Sequence, residues 1–290
     1  MSMRTSRLVW AAALILLGGC EKDRDPAVGR AAAERARAHV ASGRAATERL
    51  TQGLTRAIEG ASAPVGAAMA DAARLRRALR DLHDDRTDMG RSLSLFPTSF
   101  IAAVRPDGKA AASDRDATPD PVAEKDLGAA FPCVRAALQG TAGSCAGQFS
   151  LVEGAQRRWF VAVTPARAAA DGPVVGAVVA AMTFGNIAKA VRGALNIETA
   201  RDGVQLAVGI LHEGRTYPSG TDNDVPAAFL VDAPLVRAIP QGAGARAAQV
   251  VIAFNFTQNN GRMQWGAAAG PVPTLGDGAS LIVYRAPLRQ

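Results

Sequence analysis

The chain has 290 residues, 48% of them hydrophobic and 20% charged. That leaves room for two domains of about 100–200 residues each, with enough apolar material for a core, and excludes wholesale disorder. The formal charge of +7 comes from arginines scattered among aspartates and glutamates, with no Lys/Arg-rich block interleaved with aromatics, so no nucleic-acid partner is expected.

Residues 1–19 carry Arg4 and Arg7, an apolar run over 8–17, then Gly18-Gly19. A charged start, an apolar stretch too short to cross a bilayer and small residues before a cleavage point make a secretion signal. Leu17-Gly18-Gly19-Cys20 resembles the lipobox of bacterial lipoproteins. The resemblance implies that Cys20 becomes the first mature residue and is acylated; an ordinary signal with an incidental cysteine is the alternative. Glu21 stands where Asp would favour inner-membrane retention, so the resemblance leans toward the outer membrane, with the protein facing the periplasm. Acyl chains contribute about 0.8 kcal/mol per buried CH₂ and would hold the protein on the bilayer. No later stretch is long and apolar enough to span, so the chain is expected to be anchored only.

A charged tether (20–25) leads to Asp25-Pro26, a cap followed by proline at the first helical position. A helix is expected to about residue 58, with Val40, Leu50, Leu54 and Ile58 at helical spacings. Gly60 breaks it, Ser62 can cap a second helix that Pro64 opens, and this one runs to about residue 88. Its apolar face holds Met69, Ala72, Leu75, Leu79 and Leu82; its arginine-rich face reads as solvated. Residues 26–95 thus form a helical lead-in.

The first of two further units covers 96–198. Strands are expected at 100–104 and 110–113 around Pro106-Asp107-Gly108, then a helix at 131–139 stopped by Gly140, and a strand at 148–152. A hairpin with strands at 158–164 and 174–184 follows, then a connecting helix at 187–197. Its punctuation recurs 106 residues later: Trp159, Pro165 and Gly172 are answered by Trp265, Pro271 and Gly278, and Asp107-Gly108-Lys109 by Glu213-Gly214-Arg215. One offset held across two turns and a Trp argues for a duplicated unit. The second unit (199–290) accordingly reads as strands at 204–211 and 216–218, a loop and helix to about 239, a strand at 249–256, a turn at Asn259-Asn260-Gly261, and closing segments at 263–269, 271–278 and 280–285. Two strands, a helical excursion and three more strands, twice over, make an α+β fold with antiparallel sheets.

With Cys20 lipidated, Cys133 and Cys145 remain as an even pair in an oxidising compartment. A disulfide is the first reading, and closing so short a loop stabilises by roughly 3 kcal/mol; two buried thiols or a redox pair are the alternatives.

The long helical lead-in, the Asp-Gly-Lys hairpin, Ala137-Leu138-x-Gly140, Trp159-Phe160 leading to Thr164-Pro165, and a last strand containing Gly176 resemble extracellular Cache-type sensor domains, which are PAS-like. The duplication resembles the tandem, or double, Cache arrangement over residues 26–288. The resemblance implies a sensor or small-molecule-binding module, with the ligand usually in the first unit. Arg157-x-Trp159-Phe160 also resembles part of the motif with which some double-Cache domains hold an amino-acid carboxylate. An Arg takes a carboxylate bidentately, and residues two apart on a strand share a face. The family's upstream Tyr falls at Val152 and its amine-binding Asp near Ala181, so a small organic acid or other anion is expected in place of an amino acid. The expected ligand residues are Arg157, Trp159 and Phe160 on the strand, with Asp114 and Asp116 on a loop lid at 114–127. The alternative makes Trp159 core and Arg157 or Arg158 a solvated strand residue.

His39, His83 and His212 are far apart in sequence, and no hydrolase, zinc-protease or phosphate-binding motif occurs. No enzyme, cofactor or metal site is expected. Asp114, Asp116, Asp120 and Asp126 lack the spacing of a calcium loop and read as solvating their loop, and His212 beside Glu213 as surface chemistry. The leading function is a lipid-anchored envelope sensor or binding module acting through a protein partner. A structural or assembly lipoprotein whose PAS-like units bind protein and no ligand is the alternative, with an envelope hydrolase a distant third. Replacing Cys20 by serine is expected to release the protein from membrane fractions of a Gram-negative host and abolish acyl labelling. Unchanged retention, with no acyl label on the unmodified protein, excludes the anchor.

Overall fold

The computed structural model describes residues 26–84, 99–115, 117–152, 154–200, 202–219, 250–258 and 261–287. The signal, Cys20 and the tether, the expected helix end at 85–88, Asp116, the expected helix before 239 and Asn259-Asn260 lie outside them.

Helix α1 (Pro26–Glu59, 34 residues) is about 51 Å long at 1.5 Å per residue. Its buried stripe is wider than the four expected residues: Ala36, Gly43, Ala46, Thr47 and Thr51 join Val40, Leu54 and Ile58, with Leu50 only partly buried. Threonines are tolerated there because the Thr47 and Thr51 hydroxyls donate to the carbonyls of Gly43 and Thr47, at 2.9 and 3.1 Å. The second helix is two: α2 (Ser62–Ala68) and α3 (Ala72–Asp84). Asp71 makes the break, its Oδ1 accepting from the Ala73 and Arg74 N–H groups at 2.9 and 3.0 Å. Ser62 caps nothing; its hydroxyl donates to the Pro165 carbonyl at 2.6 Å and ties α2 to the first sheet.

Strands β1 (Phe100–Val104) and β2 (Ala110–Ser113) fall where the sequence puts them. After them come α4 (Leu127–Ala130), α5 (Pro132–Leu138), β3 (Gly143–Phe149), β4 (Arg157–Arg167) and β5 (Val174–Thr183). β3 begins five residues before the expected position, because Gly147 and Cys145 resemble loop residues. A Cβ on Gly147 would lie 2.7 Å from the Phe131 ring, so α5 docks on this strand only through a glycine. Cys133 and Cys145 are joined by a disulfide that links α5 to β3. Pro165 is not a turn residue. It sits inside β4 beyond the last β3 pair (Gly143 with Val163), where that strand edge needs no N–H donor.

Helix α6 (Phe184–Glu198), capped by the Thr183 hydroxyl, connects to β6 (Val204–His212), β7 (Arg215–Pro218), β8 (Val250–Gln258), β9 (Gly261–Pro271), a short 3₁₀ turn (Pro273–Leu275) and β10 (Ser280–Pro287). The two antiparallel sheets have equivalent orders, β2-β1-β5-β4-β3 and β7-β6-β10-β9-β8. Each strand of the second starts within two residues of the offset of 106 positions from its counterpart. Gly108 and Gly214 both hold φ above zero, at 86° and 73°, which explains why the same turn recurs.

Period-two alternation buries both faces of the first sheet. Ile101, Ala103, Phe160, Ala162, Val178, Ala180 and Met182 join α1, α2, α3, α6 and the second sheet in one core. Phe100, Trp159, Val161, Val179 and Ala181 pack under the excursion with Val122, Phe131 and Val134. No described helix is long and apolar enough to cross a membrane.

A Cβ on Gly66 would meet the Arg167 backbone carbonyl at 2.3 Å, whereas one on Gly53 meets nothing within 4 Å. Gly66→Ala is therefore expected to destabilise by about 1–3 kcal/mol through overpacking. Gly53→Ala should stabilise α1 by about 0.5–1 kcal/mol. Denaturant unfolding of both variants checks the opposite signs.

Candidate ligand site

The loop after β2 is held by its aspartates instead of being solvated by them. The Asp114 carboxylate, 8% exposed, accepts from the Ile101 N–H at 2.9 Å. Asp120 accepts from Ser113 through the backbone N–H and the hydroxyl, both at 2.8 Å, and from the Val122 N–H at 2.9 Å. Asp126 caps α4 by accepting from Ala129 N–H at 2.7 Å. Glu124, in the left-handed region at φ 63°, has both oxygens on Arg105 at 2.6 and 2.8 Å. Those bonds hold its carboxyl below the usual range.

This ordered loop and α3 enclose a cleft of 540 Å³ lined by Arg76, Arg80, Arg115, Ser113, Asp120 and Glu124. Arg76 and Arg80 lie one turn apart on α3; both are exposed, in keeping with the solvated reading of that face, and both line this cleft. Arg115 Nε is buried with no hydrogen-bond partner. Both carboxylates on the rim are already bonded, Asp120 to loop backbone and hydroxyl and Glu124 to Arg105, so the cleft offers cationic donors to an anion.

The ligand residues expected from sequence do not converge on one cavity. Trp159 is 1% exposed, its ring 5.3 Å from that of Phe100, and its indole N–H donates to the Phe149 carbonyl at 3.0 Å. Phe160 points to the opposite face, into the helix-side core. Arg157 is exposed at the start of β4. Asp114 follows β2, three strands along from β4, or about 14 Å across the sheet. Val152 is exposed and Ala181 buried in the aromatic cluster. Phe100, Phe131, Phe149 and Trp159 close the sheet face under the excursion.

The neighbour of Arg157 has a role that no sequence pattern signals. Arg158 Nη1 donates to Glu213 Oε2 at 3.0 Å, and its Nη2 lies 3.5 Å from His212 Nε2, so unit one grips the β6–β7 turn of unit two. His212 is 3% exposed and packs edge-on to Phe184, which in turn meets Tyr217. It is an interface residue and not surface chemistry. Burial, then the Arg158 charge, push its imidazole below the ordinary 6.5, with Glu213 and an Asp277 backbone bond opposing.

No protein-family model matches the chain, and no curated protein does. Solved structures do match. The ligand-binding domain of the Campylobacter jejuni chemoreceptor Tlp3, in complex with 4-methylisoleucine, superposes with a TM-score of 0.52 at 11% identity, over 89% of this chain and 92% of that one. Its isoleucine-bound sensory domain gives 0.50 at 12% identity, over 90% and 96%. The fold is that of Cache/PAS-like sensor domains.

A base with a depressed native pKa binds its proton more weakly folded than unfolded. Stability is then full above 6.5 and falls as pH drops through that value. The melting temperature is expected to be flat above about pH 7 and to decline from about pH 6.5 toward 5. His212→Gln should flatten this slope, leaving the share of His39, also depressed by burial and Arg285. An unchanged slope in His212→Gln would assign the pH dependence elsewhere.

Proposed function

We propose that this protein is a lipid-anchored sensor or binding module of the bacterial envelope, of Cache type, that takes a small organic acid in the cleft between α3 and the loop after β2. A partner protein reads the bound state. The observation that carries the reading is the gathering of Arg76, Arg80 and the unpartnered Arg115 Nε around one cleft whose acidic residues are already bonded. Carboxylates suit guanidinium forks, and a rigid sheet carrying an adaptable loop is the usual setting for such a site. The fold of Cache/PAS-like sensor domains supports it, as do the secretion signal and Cys20 for the anchor.

A second reading, an assembly lipoprotein without ligand, is favoured by one observation: the sheet face beneath the excursion is filled by Phe100, Phe131, Phe149 and Trp159. Titration of the full chain with small mono- and dicarboxylic acids separates the two. A ligand at 100 times its Kd adds about 2.7 kcal/mol of stability, which a thermal-shift measurement detects. Arg115→Ala and Arg76→Ala are each expected to weaken binding by about 1.5–3 kcal/mol, the range for a hydrogen bond to a charged group. Arg157→Ala is expected to change affinity little; the reverse pattern would move the site to the start of β4. No stabilisation by any acid would favour the ligand-free reading.

A further inference from the structure

A second charged pocket lies on the helix side of the second sheet, independent of the cleft in unit one. It measures 370 Å³ and is lined by Arg35 and His39 on α1, Asp202 before β6, and Arg285 near the end of β10. Arg285 has the same strand parity as Leu281 and Val283, both of which pack into the helix-side core, so its side chain points beneath α1. The residue is 5% exposed, and its Nε is buried without a hydrogen-bond partner. A buried guanidinium donor without a hydrogen-bond partner costs free energy. The neighbouring cation Arg35 makes this worse, and together with burial it lowers the Arg285 pKa, with Asp202 opposing.

Three groups, Arg35, His39 and Arg285, can donate into this space. A carboxylate has two oxygens for them; a phosphate presents more, in a tetrahedron that three converging donors match. Asp202 would oppose a simple anion, since no ion pair joins it to Arg285 or Arg35. An ammonium on the same ligand removes that conflict. Glu198, which also acts on His39, is occupied in part by the Ser42 hydroxyl at 3.1 Å.

We propose that this pocket binds a phosphoethanolamine-type zwitterion, with the phosphate on Arg285, Arg35 and His39 and the ammonium on Asp202. Arg35 is nine residues into α1, about 14 Å from the start of the helix. α1 follows Cys20 after a short tether, so the ligand could be a lipid headgroup at the anchoring membrane or the free molecule. Only the headgroup source rests on the anchor proposed above.

The test is calorimetric titration of the full chain, purified in detergent, with O-phosphoethanolamine, inorganic phosphate and ethanolamine, and of the chain with nanodiscs of phosphatidylethanolamine or phosphatidylglycerol. O-phosphoethanolamine is expected to bind about tenfold or more tightly than phosphate or ethanolamine alone, with loss of about tenfold or more in Arg285→Gln, one charged hydrogen bond being worth that much. Arg35→Gln, at an exposed helix position that leaves folding intact, should show the same direction, and Asp202→Asn should erase the preference over phosphate. A preference for phosphatidylethanolamine discs with weak binding of the soluble compound identifies the headgroup as the source; the converse identifies the free molecule. Absence of binding by both forms, affinity unaffected by Arg35→Gln, or phosphate binding as tightly as O-phosphoethanolamine overturns the proposal. Arg76→Ala should leave this binding unchanged, which separates its failure from that of the carboxylate cleft.

Discussion

The structure depends on the burial of one face of α1. Ala36, Val40, Thr47, Leu54 and Ile58 are each fully covered, and they pack in a single core with strands of both sheets. Burying a side chain of Val, Leu or Ile size contributes about 1.5–3 kcal/mol, so the helix is a large part of what joins the two units. Among the described residues, neither sheet has another helix of comparable length for its helix-side face. The alanines and threonines in the stripe keep the helix close to strand backbone, and back-bonding to the helix carbonyls satisfies the Thr47 and Thr51 hydroxyls there.

Around that spine the units are alike in plan and unlike in chemistry. The first sheet is apolar on both faces: the helix side joins the common core, and the excursion side is closed by a cluster of Phe and Trp rings. Unit one therefore keeps its polar cleft at the sheet edge, between the β2 loop and α3. Asp114, Asp120 and Asp126 of that loop are spent on nearby N–H groups and Glu124 on Arg105, and Arg76, Arg80 and Arg115 are left to line the cleft. The second unit places its buried cation, Arg285, on the opposite side, beneath α1. The units touch through Arg158, which leaves the first sheet to meet Glu213 and His212, and through α6, whose first residue Phe184 packs on both His212 and Tyr217.

Sequence by itself determined the α+β class, the long first helix and the duplication, because each leaves a local or periodic trace: a 3.6-residue stripe, a φ-positive glycine in a repeated turn. An even pair of cysteines, once Cys20 is set aside, makes a disulfide the first reading and leaves free thiols open; the structure joins Cys133 to Cys145. Sequence could not determine β3, whose Gly147 is demanded by the Phe131 ring of a different element. Nor could it locate the site. Arg-x-Trp-aromatic on one strand reads as a binding motif, yet whether Trp159 meets a ligand or a wall of Phe side chains is decided by Phe100, Phe131 and Phe149, up to 59 residues away in the chain. Arg76 and Arg80 are exposed, as their helix face implies, but periodicity gives the face and not what stands opposite it. Only the tertiary structure sets Arg115 across from them, Arg158 against Glu213, and Arg285 beneath α1: these are pairings over large sequence separations, fixed by packing, and packing leaves no signature in the spacing of the residues it brings together.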